Sequence, residues 1–172
     1  GMIGALVVQF TDGETLRIVT DEGWKSAEAV TEGWTSSGFD DSSWKPVAKL
    51  GAIGSAPWHG IHIESEDGWS HDRPSPILRK AFTVDKPIAS ATVYLSGLGF
   101  SELHLNGRKI GDRVLDPVFT RYDRRVPYVT YDVAEQLQQG DNAVGVMLGN
   151  GWFNQFSRDA WDFQSSPWRA LP

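Results

Sequence analysis

Residues 150–162, NGWFNQFSRDAWD, interleave aromatic side chains with planar polar ones. A sugar presents an apolar ring face and rows of hydroxyl groups, so a sugar-binding site needs an aromatic surface with hydrogen-bonding groups beside it. Because this segment supplies both, it predicts a carbohydrate site. The candidate ligand-binding residues are Asn150, Trp152, Phe153, Asn154, Arg158, Asp159 and Trp161.

Some aromatic and charged residues of this region have a second interpretation. Trp152 and Trp161 could equally pack in a core or against another domain. Arg158 and Asp159 lie on a connecting segment and are less easily explained by packing. In the nearby LDPVFTRYDRR, Asp116 and Tyr122 either shape their loop or touch ligand, and both alternatives stay open.

The carboxylates of the chain do not form a convincing catalytic pair. Glycoside hydrolysis needs two carboxylates facing each other, at about 5 Å or about 6.5–9.5 Å. Adjacent Asp40 and Asp41 in GFDDSSW are better explained by a turn that returns Trp44 to the core. The acidic residues within 64–67 are typical of a solvated loop. Asp159 and Asp162 form the third candidate pair.

Metal sites are weakly indicated. The chain has no cysteine, so neither a disulfide nor a thiolate site can form. His59 and His62 lie on an irregular segment that fixes no common face for zinc. Calcium is a second candidate, and oxygen atoms of Asn150, Asn154 and Asp159 could serve as its ligands. No other cofactor is expected.

Composition and charge limit the class of partner. The 172 residues are 40% hydrophobic, which is enough for one ordinary domain with a core. A net charge of -6 argues against nucleic acid, because binding phosphates needs a basic face. No apolar run of about 18 residues exists, so no membrane-spanning helix is predicted. The absence of cysteine leaves open the periplasmic or secreted location that we favour.

The elements that would position the candidate site are strands. Asn106-Gly107 follows an alternating run at 101–105 and predicts a two-residue hairpin turn, as Asp12-Gly13 does for a hairpin within 3–20. Asp132 is predicted to cap one helical turn. The other predicted strands cover residues 77–84, 91–98, 126–133 and 142–148, the last of them central in a sheet.

The order of motifs resembles the N-terminal β-sandwich domain of bacterial α-L-rhamnosidases. The resemblance rests on LHLNGRKIGD, LDPVFTRYDRR, YDVAEQLQQGDNAVGVMLGNGWF and AWDFQSSPWRALP, and covers residues 77–172. It implies an all-β, jelly-roll-like sandwich of the galactose-binding type. It also implies an accessory role, since the catalytic acid and base of this family sit in a separate helical-barrel domain that no part of this chain resembles.

The two halves of the chain follow each other in a permuted-looking order. In the family, segments like FTDGETLRIVTDEGW and GFDDSSWKPV come after one like PWRALP, whereas here they precede it. Residues 1–58 therefore resemble the closing strands of a sandwich and 77–172 the opening strands, with 59–76 as a linker or surface loop. They are either parts of two tandem sandwiches or one sandwich, and we favour one, because a half sandwich exposes unpaired edges.

The resemblance implies a non-catalytic, carbohydrate-binding accessory domain of an α-L-rhamnosidase. The expected partners are an L-rhamnose-containing glycan and the catalytic domain of the same polypeptide. Two alternatives stay open: a purely structural domain that braces a glycosidase catalytic domain, and the sugar-binding domain of another glycosidase. GFDDSSW also loosely resembles β-galactosidase-like enzymes, which supports the last alternative.

Overall fold

The computed structural model describes residues 2–29, 31–48, 75–122 and 124–153. These residues form strands joined by turns, with a single 3₁₀ turn at Ala134–Gln136 among them. The strands are β1 (Ile3–Phe10), β2 (Thr15–Val19), β3 (Lys25–Ala27), β4 (Lys45–Pro46), β5 (Ile77–Val84), β6 (Ile88–Ser96), β7 (Phe100–Leu105), β8 (Arg108–Lys109), β9 (Val129–Asp132) and β10 (Gly140–Gly149).

The strands build two antiparallel sheets. The four-stranded sheet has the order β2-β1-β6-β9, and the six-stranded sheet has the order β4-β3-β5-β10-β7-β8. Each sheet contains strands from both ends of the chain, because β1 pairs with β6 and β3 pairs with β5. The predicted all-β sandwich is confirmed. Its galactose-binding-type topology stays a prediction.

Alternation along the strands places one apolar face of each sheet inside. Leu6 and Val8 of β1 are buried, and so are Val93 of β6, Leu103 of β7 and Val146 of β10. These side chains belong to one hydrophobic cluster between the sheets. Period-two burial is what strands packed on one face require, which is why the sequence pattern identified most of them.

The turn signals also identified the hairpins. Gly13 has φ 91° in the β1–β2 turn, and Asn106 and Gly107 have φ 48° and 84° between β7 and β8, as a two-residue turn of this kind demands. The prediction for the helical turn was partly wrong. Its N-cap position is Val133, and Asp132 instead accepts a hydrogen bond from the Ala134 amide at 3.2 Å.

The chain covers the outer face of the six-stranded sheet with its own residues 31–44. The Trp34 indole lies on Gly145 of β10, where an added Cβ would stand 2.5 Å from the ring. Trp34 stacks on Trp44 with centroids 6.2 Å apart, and the Ile77 side chain completes the cluster. Glycine at position 145 therefore lets this third layer approach the sheet.

Candidate functional site

Two loops meet at one end of the sandwich, after β6 and after β10. A Cβ on Gly99 would lie 2.4 Å from the Gly149 carbonyl oxygen, and a Cβ on Gly151 would lie 3.1 Å from Gly99 Cα. Gly151 also has φ 50°. The two backbones approach so closely that only glycine fits at this crossing. The crossing fixes where Trp152 leaves the sheet.

A third loop, residues 111–122, joins this end of the sandwich. The Ser101 amide donates a hydrogen bond to the Asp116 carbonyl at 2.7 Å, which holds the loop against the start of β7. Arg113 forms an ion pair with the Asp116 carboxylate at 3.3 Å. These contacts support a role for Asp116 in shaping its loop, and ligand contact by Asp116 stays a prediction.

Phe119 and Trp152 form an exposed aromatic pair across these loops. Their ring centroids are 5.6 Å apart and the rings are tilted by 55°. The Phe119 side chain is 53% exposed and that of Trp152 is 40% exposed. Sequence reasoning proposed Trp152 but missed Phe119. The sequence signal for Phe119 is a large apolar side chain within a loop rich in turn-forming residues, where no strand would bury it.

Phe153 has a different environment from its neighbour. Its ring is buried and packs in a small cluster with Leu98 and Tyr122. The Tyr122 and Phe153 rings meet edge to face, with centroids 5.2 Å apart. Burial raises the pKa of the Tyr122 phenol. Phe153 and Tyr122 thus pack against each other at the base of the loop, and the ligand-binding role of Phe153 stays a prediction.

Of the remaining candidate residues, one lies within the described residues and four lie outside them. Asn150 is partly exposed in the turn between Gly149 and Trp152. The other four, Asn154, Arg158, Asp159 and Trp161, lie outside the described residues, and their ligand-binding role stays a prediction.

The metal prediction is tested only in part. Within residues 2–29, 31–48, 75–122 and 124–153, no group of three or more His, Asp or Glu side chains is arranged to hold a metal ion. Of the three oxygen donors considered for calcium, only Asn150 falls in these ranges. The His59 and His62 pair lies outside them. Calcium binding thus stays a prediction.

Membrane insertion by a helix finds no support in the part of the chain that the structure describes. The search there found no helix long and apolar enough to span a bilayer.

Comparison with known proteins identifies the family. Residues 86–170 match the family model described as α-L-rhamnosidase N-terminal domain. An α-L-rhamnosidase of Streptomyces avermitilis is 36% identical over 89% of this chain. An α-L-rhamnosidase of Formosa agariphila is 48% identical over 45% of this chain. The chain spans 14% of the length of the first enzyme and 8% of the second.

A solved structure is also similar. The crystal structure of the Streptomyces avermitilis α-L-rhamnosidase complexed with L-rhamnose shares 33% identity, covering 88% of this chain and 14% of that one, with a TM-score of 0.46. The sequence identities carry the assignment. The chain belongs to the family of α-L-rhamnosidase N-terminal domains.

Proposed function

We propose that this chain is a non-catalytic, carbohydrate-binding accessory domain of an α-L-rhamnosidase. The ligand is an L-rhamnose-containing glycan. The complete polypeptide hydrolyses terminal α-L-rhamnosides with carboxylates that lie outside this chain. Family membership supports the parent activity, and the small share of the relatives' length that the chain spans leaves room for a separate catalytic domain.

The exposed Phe119–Trp152 pair is the observation that carries this proposal. L-Rhamnose is a 6-deoxy sugar, so its methyl group adds apolar surface to one side of the ring. An aromatic ring that is packed on one side can cover the apolar surface of a sugar with its other face, and this contact is favourable. The Gly99–Gly151 crossing holds Trp152 in place, so little conformational freedom would be lost on binding.

Asp116 supports the non-catalytic part of the proposal. It is the carboxylate anchored beside the aromatic pair's loop, and it is engaged by Arg113. A hydrolase of this type needs two carboxylates free to act on opposite sides of the scissile bond. A chromogenic rhamnoside tests this point directly, because turnover by the purified chain would contradict it.

Calorimetric titration with L-rhamnose, in calcium and in EDTA, tests the binding site. We expect saturable binding in the millimolar range, as is usual for small ligands with few contacts. Trp152→Ala and Phe119→Ala should each weaken it at least tenfold. Tyr94→Ala removes an aromatic ring of similar exposure on a different surface and should leave the affinity unchanged. No heat of binding at tens of millimolar sugar would refute the proposal.

A purely structural role is the second candidate function, and three aliphatic residues favour it. Val114, Leu115 and Val118 are 72%, 68% and 66% exposed in the same loop as Phe119. Aliphatic side chains cannot hydrogen-bond sugar hydroxyls, but they suit packing against another protein surface. The calorimetric experiment separates the two roles, because a bracing domain would give no sugar binding in any variant.

We also propose that residues 1–58 and 77–172 form one sandwich domain connected by 59–76. The pairing of β1 with β6 and of β3 with β5 supports it, since each half supplies strands to both sheets. A single cooperative unfolding transition, seen alike by Trp fluorescence and far-UV circular dichroism, is the expected result. Two separate transitions would favour two units.

A further inference from the structure

The exposed large hydrophobic side chains of the described residues fall into two groups. One group lies at the loop end of the sandwich, and the other lies on the four-stranded sheet or leads into it. The first comprises Val114, Leu115, Val118, Phe119 and Trp152, and the second comprises Val19, Tyr94, Val126 and Tyr128. The function proposed above accounts for the first group only.

The strand register places two residues of the second group, Val19 and Tyr94, on the outer face of the four-stranded sheet. Ala5 of β1 is paired with Val19 of β2 and with Tyr94 of β6, and Tyr94 is paired with Thr130 of β9. Directly paired residues share a face of the sheet, so this row crosses all four strands at about 4.8 Å per strand. The Tyr128 ring meets Tyr94 edge to face at 6.0 Å and extends the apolar surface.

Charge is confined to the edges of this outer face. The next row contains Val7 and Thr92 on the central strands, with Arg17 on β2 and Asp132 on β9 at opposite edges. A third row adds Thr15, Gln9 and Ser90. Protein interfaces show this pattern, in which aromatic and uncharged residues form the centre and charged residues the rim.

The outer face of the six-stranded sheet is more charged and is covered by the chain itself. Its corresponding row runs through Lys25, Arg79, Gly145, His104 and Lys109. There the chain supplies its own cover, since Trp34 lies on Gly145 and within 5.5 Å of the His104 ring, centroid to centroid. The four-stranded sheet, the less charged of the two, is the one whose outer Tyr94 stays exposed.

We propose that the outer face of the four-stranded sheet docks against another domain of the same polypeptide. The relatives supply the reason for this occupant, because the chain spans only 14% of the length of the Streptomyces avermitilis enzyme. A flat, uncharged centre fits a packed domain surface better than a mobile charged segment. The inference is independent of sugar binding at the loop end, and sugar titration neither supports nor refutes it.

Hydroxyl-radical footprinting with mass spectrometry tests the docking surface. Oxidation rates of Tyr94 and Tyr128 are measured in the 172-residue chain and in the complete polypeptide encoded by its reading frame. We expect at least fivefold slower oxidation of both rings in the complete polypeptide. Phe119 reports separately on the loop end, where the bracing role considered above would give protection of its own.

Several outcomes would overturn the proposal. Equal rates in both proteins, protection of Phe119 alone, or a reading frame that adds no further domain would each refute it. Protection that appears in the 172-residue chain and grows with its concentration would identify a second copy as the occupant, and would refute it also.

A pair of matched variants gives an independent measurement. Thr92→Lys places a charge at the centre of the face, and Thr83→Lys is its control because each threonine lies opposite an aspartate on the next strand. We expect Thr92→Lys to lower the melting temperature of the complete polypeptide more than that of the 172-residue chain. Thr83→Lys should shift both alike. Equal shifts for Thr92→Lys would contradict docking.

Discussion

The Arg79 guanidinium, 1% exposed, forms an ion pair with the Asp41 carboxylate. The same guanidinium donates to the carbonyl oxygens of Trp34 and Ser36, each at 2.9 Å. Arg79 lies on β5, whereas its three partners lie in the segment that covers the six-stranded sheet. The buried cation therefore fastens this layer to the sheet through three separate contacts.

Asp41→Asn should destabilise the fold by about 2–3 kcal/mol, because it leaves a buried guanidinium without its counter-charge. Chemical denaturation measures the loss. Asp40→Asn is the matched control: Asp40 accepts a hydrogen bond from the Ser42 amide, and asparagine can accept it too. That variant should stay within about 0.5 kcal/mol of the original protein. Equal effects at both positions would contradict the role given to Asp41.

Gly145→Ala should displace the Trp34 indole and destabilise the protein by about 1–3 kcal/mol, as overpacking does. Gly38→Ala is the control, since a Cβ there meets nothing within 4 Å. Adding Trp34→Ala to Gly145→Ala should cost less than the two single changes summed, because the clash needs both side chains. Strict additivity would show that the ring and the glycine do not interact.

Asn142→Asp should destabilise the protein by about 3 kcal/mol at neutral pH. The Asn142 side chain is fully buried and donates to the carbonyl oxygens of Gln138 at 2.7 Å and Gly140 at 2.8 Å. A carboxylate would face these two oxygens with no proton to donate and would be a buried charge. Gln139→Glu makes the same chemical change at an exposed position and should be nearly silent. Denaturation at pH 7 compares the two.

Glu102→Gln should change how the stability of the folded protein depends on pH in the acid range. Hydrogen bonds from Lys109, and then from His104, lower the pKa of the Glu102 carboxyl in the folded protein. Ionised Glu102 therefore stabilises the folded protein at pH values above the pKa of this group in the unfolded chain. The stabilisation is lost as the pH falls through its pKa in the folded protein. Melting temperatures of the two proteins should differ at pH 7 and converge as the pH falls through the lowered pKa of Glu102 in the folded protein. A constant difference across the range would refute this assignment.

Local patterns were sufficient to predict much of the fold. Alternation along β1 and β7 identified which face is inside, and the turns at Gly13 and Gly107 identified the hairpins, because each signal depends on neighbouring residues alone. Strand β9 was predicted too long, since residues 126–128 carry the apolar pattern of a strand without pairing partners in the described sheet.

Long-range contacts were not predictable in the same way. The predicted turn in GFDDSSW is present, since Asp40 accepts from the Ser42 amide and the Asp41 carbonyl accepts from the Trp44 amide. The ion pair of the Asp41 carboxylate with Arg79 was not predicted. The Asp41 carboxylate pairs with Arg79 of β5 and with Lys25 of β3, and these partners follow only from how the two strands pair. Phe119 was missed for a similar reason, because its contact with Trp152 requires two loops from different strands to meet.

The position of β1 between β2 and β6 governs the order of assembly during synthesis. Residues 3–10 are made before residues 88–96, which are their second hydrogen-bonding partner. Until those residues emerge, the first hairpin has an open edge and an uncovered apolar face, which is the condition that invites aggregation. The hairpin of β1 and β2 is therefore incomplete as a folding unit until β6 has been made.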